Sequence, residues 1–212
     1  MKTLAALTFG LGAAFAAGCG TNKPELPSGV SAPASCVALD YPDGPYGTEA
    51  GAAVQNVCLR GWLAPERTAH DESSLEPIRL SDFYDPDGQR GIELLLVNTA
   101  AVWCSACRIE HEDLPARAAT YVPKGLRIVG SLFQDQKQNP ASVDDLKRWV
   151  ETFGTNFPMS LDPDYAFGLY ASAETSPLNL LIDPRSMKIL KKYIGDQSAV
   201  MWPYIDAQLA AR

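Results

Sequence analysis

Histidine is scarce in this chain: only His70 and His111 among 212 residues. Cysteine is little commoner, at five, and only one Cys-x-x-Cys occurs, at Cys104 and Cys107. A structural zinc site needs four ligands. No second Cys-x-x-Cys is present and His70 is remote, so only His111, four residues after Cys107, could extend the set. Positive charge is thin too. Lys and Arg number 18 against 25 Asp and Glu, a formal net charge of −7. No basic cluster is long enough to track phosphates. The densest, Lys188, Lys191 and Lys192, suits the solvated edge of a strand. A nucleic-acid binder is therefore excluded. No internal repeat is visible, and the apolar run at residues 4–18 is too short for a good membrane-spanning helix.

That run has a different use. Lys2 gives a positive start, "LAALTFGLGAAFAAG" follows, and Cys19 ends it. Residues 1–19 read as a secretory signal peptide. Ala16-Ala17-Gly18-Cys19 resembles a bacterial lipobox, although the pattern prefers Leu where Ala16 stands. Lipidation of Cys19 would hold the protein on a membrane leaflet through several acyl chains, since one chain binds only marginally. Gly20 in place of Asp resembles the sorting pattern for the outer membrane. The expected place is the periplasmic side of the cell envelope. Residues 20–35, rich in Pro, Ser and Gly, read as a flexible tether.

Removing Cys19 leaves four cysteines, and an exported protein meets oxidising conditions. Cys104 and Cys107 pair by proximity, which leaves Cys36 and Cys58 for each other as a structural disulfide. Such a bridge would close the loop-rich stretch within residues 36–74, an N-terminal extension punctuated by Pro42-Asp43-Gly44-Pro45 and Gly47. On the chain-entropy model it contributes roughly 3 kcal/mol. A second redox pair is the alternative. "VCLRGWL" inside the extension has the look of a strand.

From residue 75 the pattern is regular. "IELLLVNTA" (92–100) and "LRIVGSLF" (126–133) are buried strands. Between them "SACRIEHEDLPARAATYV" is helical, with Ile109, Leu114 and Ala118 toward a core, and Pro115 should kink or divide it. Ser142 caps a second helix that Gly154 stops. "FPMSLDP" is a short strand and turn. "SPLNLLIDP" and "MKILKKYIG" form a hairpin, and a helix with Pro203 in its first turns closes the chain. Strand, helix, strand implies a parallel βαβ unit. The fold class is α/β: a central mixed sheet flanked by helices, over residues 75–212.

The Cys104–Cys107 pair admits three uses: metal ligand, structural staple or redox couple. A staple closing so small a loop stabilises little. Redox chemistry has a positive argument. The pair follows a buried strand and opens a helix, whose backbone N–H groups and dipole stabilise a thiolate on the first cysteine. The second sulfur can then reach a mixed disulfide made by the first.

"LLLVNTAAVWCSACRIE" is similar to the "VLVNFWATWCPPCRAE" stretch of the thioredoxin superfamily, in its exported TlpA/ResA-like branch. "LSDF" (80–83) and "TSPLNLLID" (175–183) resemble two further family segments, in the right order. The resemblance implies a thioredoxin-like fold and a thiol:disulfide oxidoreductase without cofactor or metal. It implies an exposed nucleophile at Cys104, a resolving thiol at Cys107, and Trp103 shielding the pair and lining the partner groove. Pro177 would be a cis-proline, and with Ser176 would offer backbone groups to a substrate strand. Partners would be exported protein disulfides, with an integral-membrane thiol reductase as electron donor; relatives usually act as reductants.

There are departures. Thioredoxin's buried acid is replaced by Asn98, which cannot take a proton. Thr99-Ala100 and Ser105-Ala106 replace the usual pairs, and the family's helix proline is Glu112 here. Glu110 matches a family glutamate, though a solvated position is as good a reading. His111 is expected on the helix surface and His70 in a loop. Two alternatives stand beside the enzyme reading. One is a binding or scaffold lipoprotein with an idle Cys-x-x-Cys. The other is a peroxiredoxin-like peroxide reductase, for which Val97 and Ala101 lack the required proline and threonine.

Overall fold

The computed structural model describes residues 40–212. The expected signal peptide with Cys19, the whole of the tether and the first four residues of the extension, Cys36 among them, lie outside the described residues. Ten regular elements follow in chain order: β1 (Cys58–Trp62), β2 (Glu76–Arg79), β3 (Leu94–Ala101), α1 (Ser105–Tyr121), β4 (Leu126–Gln134), α2 (Val143–Phe153), β5 (Met159–Leu161), β6 (Leu178–Asp183), β7 (Lys188–Ile194) and α3 (Ser198–Ala210). The strands make one sheet in the order β2-β1-β5-β4-β3-β6-β7. β3, β4 and β5 are parallel; β1, β2, β6 and β7 run antiparallel to their neighbours. The expected βαβ unit is β3-α1-β4, and the expected hairpin is β6-β7.

β3 is buried along its whole length. A strand covered on both faces needs no polar alternation, which is why "LLLV" is continuous. Leu94, Leu96 and Ala100 pack into a core with Leu114 and Ala118 of α1, Leu146, Trp149 and Val150 of α2, and Ile205 of α3. Leu95 and Val97 face the opposite core, with Val54, Leu80, Phe83, Phe167 and Leu180. Burying each such Leu or Val side chain contributes about 1.5–3 kcal/mol.

α2 shows how locally the sequence sets its bounds. Ser142 Oγ accepts from Asp145 N at 3.2 Å, and Asp145 Oδ2 accepts from Ser142 N at 2.9 Å, a reciprocal cap. Gly154 ends the helix at φ 61°, a left-handed conformation that glycine adopts without strain.

Two expectations need correction. Pro115 does not divide α1, which runs unbroken from Ser105 to Tyr121. Leu114, Ala118 and Tyr121 on both sides of it are buried, and that packing holds the helix through the lost N–H. Ile109 does not face the core; it is 58% exposed. The buried stripe of α1 is instead Cys107, Glu110, His111, Leu114, Ala118 and Tyr121.

The segment before residue 75 is part of the sheet. β1 lies between β2 and β5, with Arg60 opposite Leu161. Further back, Val54 N donates to Met187 O at 2.9 Å and Ile189 N to Ala52 O at 2.9 Å, so residues 51–54 run beside β7. Lys188, Lys191 and Lys192 are on β7, the last strand of the sheet, as expected, and Lys192 Nζ meets Glu49 Oε1 at 3.0 Å.

Candidate functional site

β3 delivers the chain to the site. At its end Cys104 N donates to Ala101 O at 3.1 Å, a tight turn, and α1 begins one residue later. Cys104 is the N-cap of α1, and its Sγ accepts from Cys107 N at 3.1 Å. Cys104 and Cys107 are disulfide-bonded, with Cα atoms 5.3 Å apart. Cys107 is fully buried; Cys104 keeps 4% of its surface. Cys104 is thus less exposed than expected, because Trp103 and Val102 pack beside it against the core. It is still the residue of the two that solvent reaches. In the reduced protein its position at the helix start would favour a thiolate.

Trp103 is half-buried and fixed: its Nε1–H donates to Gln134 Oε1 at 2.9 Å. The Ser176–Pro177 bond is cis, as expected. β3 and β6 are in register at Thr99 and Leu178, and Leu178 N donates to Thr99 Oγ1 at 3.2 Å. One step further along that register puts Pro177 opposite Ala100, at the end of β3 that leads into the cysteines. The Pro177 carbonyl already accepts from Gly195 N at 2.8 Å. Ser176 is half-buried and Pro177 is buried.

Behind the disulfide is a buried polar cluster that differs from the sequence-based expectation. Glu110 is 4% exposed and His111 is fully buried, not solvated. They occupy the third and fourth positions after Cys107 on the inward face of α1. Glu110 takes hydrogen bonds from Asn98 Nδ2 (2.8 Å to Oε2) and Asn179 Nδ2 (3.0 Å to Oε1, 3.1 Å to Oε2). Asn98 and Asn179 face each other across β3 and β6, and Asn98 Nδ2 also donates to Asn179 Oδ1 at 2.8 Å. Burial pushes the Glu110 carboxyl up to about 7; the hydrogen bonds from Asn179 and Asn98 pull the other way, and nearby Asp196 adds to the rise.

His111 connects this cluster to α2. Trp149 Nε1–H donates to His111 Nδ1 at 3.0 Å, and His111 Nε2 lies 2.9 Å from Asn98 Oδ1. Burial pushes the imidazole down to about 3, so it is neutral. The spacing that could have revealed the cluster was Cys107, Glu110, His111, Leu114: one helical stripe with polar residues at two places. His70 is in a loop, as expected, with its ring 4.8 Å from that of Trp62. Cys58 opens β1 and is disulfide-bonded; its expected partner, Cys36, lies outside the described residues.

A disulfide-bonded Cys-x-x-Cys capping the helix after the central strand, beside a cis-proline loop, defines a thioredoxin-superfamily protein. Residues 61–192 match the AhpC/TSA family, and the chain belongs to that family. It is 34% identical over 109 residues to the thiol:disulfide interchange protein DsbE of Tatumella citrea, covering 51% of this chain and 53% of that one. It is 30% identical over 145 residues to the protein of the same name from Vibrio cholerae, covering 68% and 70%. The chain thus spans about half the length of the first relative. Among solved structures it resembles a crystal structure titled as a putative DsbE from Chlorobium tepidum, with TM-score 0.59, 20% identity, and coverage of 77% of this chain and 99% of that one. That likeness is one of fold.

Proposed function

We propose that the protein is a thiol:disulfide oxidoreductase acting on exported proteins, working as a reductant on the periplasmic side of the cell envelope. Support comes above all from one observation: the bonded pair caps α1, and solvent reaches Cys104 but not Cys107. The relatives named for thiol:disulfide interchange agree with this use.

The exchange needs no cofactor. In the reduced protein the Cys104 thiolate attacks one sulfur of a substrate disulfide, and the other substrate sulfur leaves as a thiolate. Cys107 then gives up its proton and attacks Cys104 Sγ in the mixed disulfide. The second substrate sulfur leaves, and the Cys104–Cys107 bond is formed. Two electrons have passed to the substrate. Asn98 cannot accept the Cys107 proton, but Glu110, one turn along the same face, is a carboxylate poised near neutrality. Trp103 shields the pair, and the Ser176-Pro177 loop meets the substrate strand.

The finer assignments belong to the same proposal. Cys19 is lipidated after removal of the leader, Cys36 pairs with Cys58, and an integral-membrane thiol reductase restores the thiols. Residues 1–19, 20–35, 36–74 and 75–212 are leader, tether, extension and thioredoxin-like domain. No helix among the described residues is long and apolar enough to cross a membrane. The assignment of the anchor to lipid rests on the Ala16-Ala17-Gly18-Cys19 pattern. Gly20 favours the outer membrane, where reaching an inner-membrane donor would be awkward; a substrate other than apocytochrome c fits that better. A peroxide reductase would need a hydroxyl three residues before Cys104, where Ala101 carries a methyl group.

The test is equilibration of the purified protein with glutathione or dithiothreitol. A potential near about −270 mV supports a reductant, and one near about −120 mV reverses the direction of electron flow. A pair that never cycles while the fold stays intact leaves only the binding-module reading.

A further inference from the structure

The buried imidazole of His111 has two hydrogen-bond partners, and each removes a degree of freedom. The indole N–H of Trp149 can only donate, so His111 Nδ1 must accept. A neutral ring then carries its proton on Nε2 and donates it to Asn98 Oδ1. With its carbonyl engaged there, Asn98 has only N–H groups left for its other side. Both are used: one on Glu110, one on Asn179. The amides of Asn98 and Asn179 therefore present donors alone to the Glu110 carboxylate. Reversing the His111 tautomer would turn Asn98 over and aim its carbonyl at Glu110.

We propose that His111 is a positioning residue: locked in its Nε2–H tautomer by Trp149, it holds the Asn98 amide with its N–H toward Glu110, and so sets how readily that carboxylate gives up its proton. This rests on the disulfide-exchange reading only for its consequence, the uptake of the Cys107 proton. His111 touches neither sulfur in this scheme and is not a catalytic residue.

The groups that face Glu110 are Asn98 from β3, Asn179 from β6, Asp196 from the turn before α3 and Ser198 at the start of α3. Of these only Asp196 is charged, and it does not change in the variants below. Those that face His111 are Asn98, Trp149, Phe153 and Phe157; none titrates.

The experiment is done on the oxidised protein, so it needs no turnover. Imidazole 15N shifts at neutral pH should show His111 with bare Nδ1 and protonated Nε2. An Nδ1–H tautomer or an imidazolium overturns the proposal with no variant required. Carboxyl 13C titration of Glu110 is then followed in His111→Leu, His111→Gln and Trp149→Phe. Loss of a hydrogen bond to a charged group predicts that Glu110 titrates higher by about one pH unit in His111→Leu. Trp149→Phe, which frees the tautomer, should move it the same way. His111→Gln, which restores a donor and an acceptor, should bring it back toward wild type. Should His111→Leu fail to fold, Trp149→Phe decides. A Glu110 titration unmoved in a folded variant makes His111 a packing residue only, since lost packing lowers stability without shifting that titration. Cycling of the disulfide, measured separately, shows whether the exchange reading itself stands.

Discussion

The indole N–H of Trp103 donates to Oε1 of Gln134 at 2.9 Å, tying the residue before Cys104 to the last residue of β4. Gln134→Leu removes that acceptor and leaves the strand backbone alone. A neutral hydrogen bond is worth about 1 kcal/mol, or roughly a fivefold population change. Trp103 should then spend more time off the disulfide. Dithiothreitol should reduce Cys104–Cys107 about two- to tenfold faster, read by the change in tryptophan emission. An unchanged rate would mean that Trp103 does not shield the pair.

Glu110 and His111 are chain neighbours whose titrations push stability in opposite directions. Glu110 rises in the fold from 4.5 to about 7. Its stabilising contribution is full below pH 4.5 and is lost as pH climbs through 7. His111 falls from 6.5 to about 3. Its contribution is present above pH 6.5 and is lost as pH falls toward 3. Between pH 4.5 and 6.5 the slopes oppose, so wild-type stability should vary little from this pair. Glu110→Gln removes one slope. Relative to wild type the variant should gain roughly 3 kcal/mol between pH 4.5 and 7.5. Urea unfolding of the oxidised proteins at the two pH values measures the difference, and a flat difference would refute the Glu110 shift.

Gly61 sits where β1 crosses closest to β5. A Cβ there would come within 2.2 Å of Met159 O and 2.6 Å of Ser160 Cα, both backbone. Neither can move without breaking the β1–β5 ladder. Gly61→Ala should cost about 2–3 kcal/mol or more, seen as a lower Tm. A Tm within a degree or two of wild type would show that β1 is not held in the sheet.

Ser142→Ala tests the cap of α2 alone. It should lower stability by about 1 kcal/mol in urea unfolding. The reduction potential of the cysteines should not change, because the cap is remote from them in the chain. A shifted potential would mean that α2 is coupled to the disulfide more tightly than the Trp149–His111 bond implies.

What was legible in the chain was what repeats at fixed spacing or forces a backbone. The apolar runs of β3 and β4, the cysteines opening α1 and the Ser142 and Gly154 stops were readable in that way, whereas the cis bond at Pro177 was implied by the family resemblance. What hid were residues whose burial contradicts their polarity. Glu110 and His111 look solvated beside Ile109, yet Ile109 is the exposed one. Hydropathy cannot reveal a buried carboxylate, because its burial depends on Asn98 and Asn179, brought together by a strand pairing 81 residues apart. The failure over Pro115 has a similar origin: local preference gave way to core packing on either side.

Residues 51–62 carry a consequence for how this sheet closes. Arg60 waits for Leu161, and Ala52 for Ile189, each more than a hundred residues later in the chain. As the polypeptide emerges from its N-terminus, β1 can find β2 early, but its other partner comes late. Contacts of such sequence separation are slow to form. The first-made part of the sheet is therefore the last to be sealed, and until β5 and β7 arrive its edges stay open to any other extended chain in the same compartment.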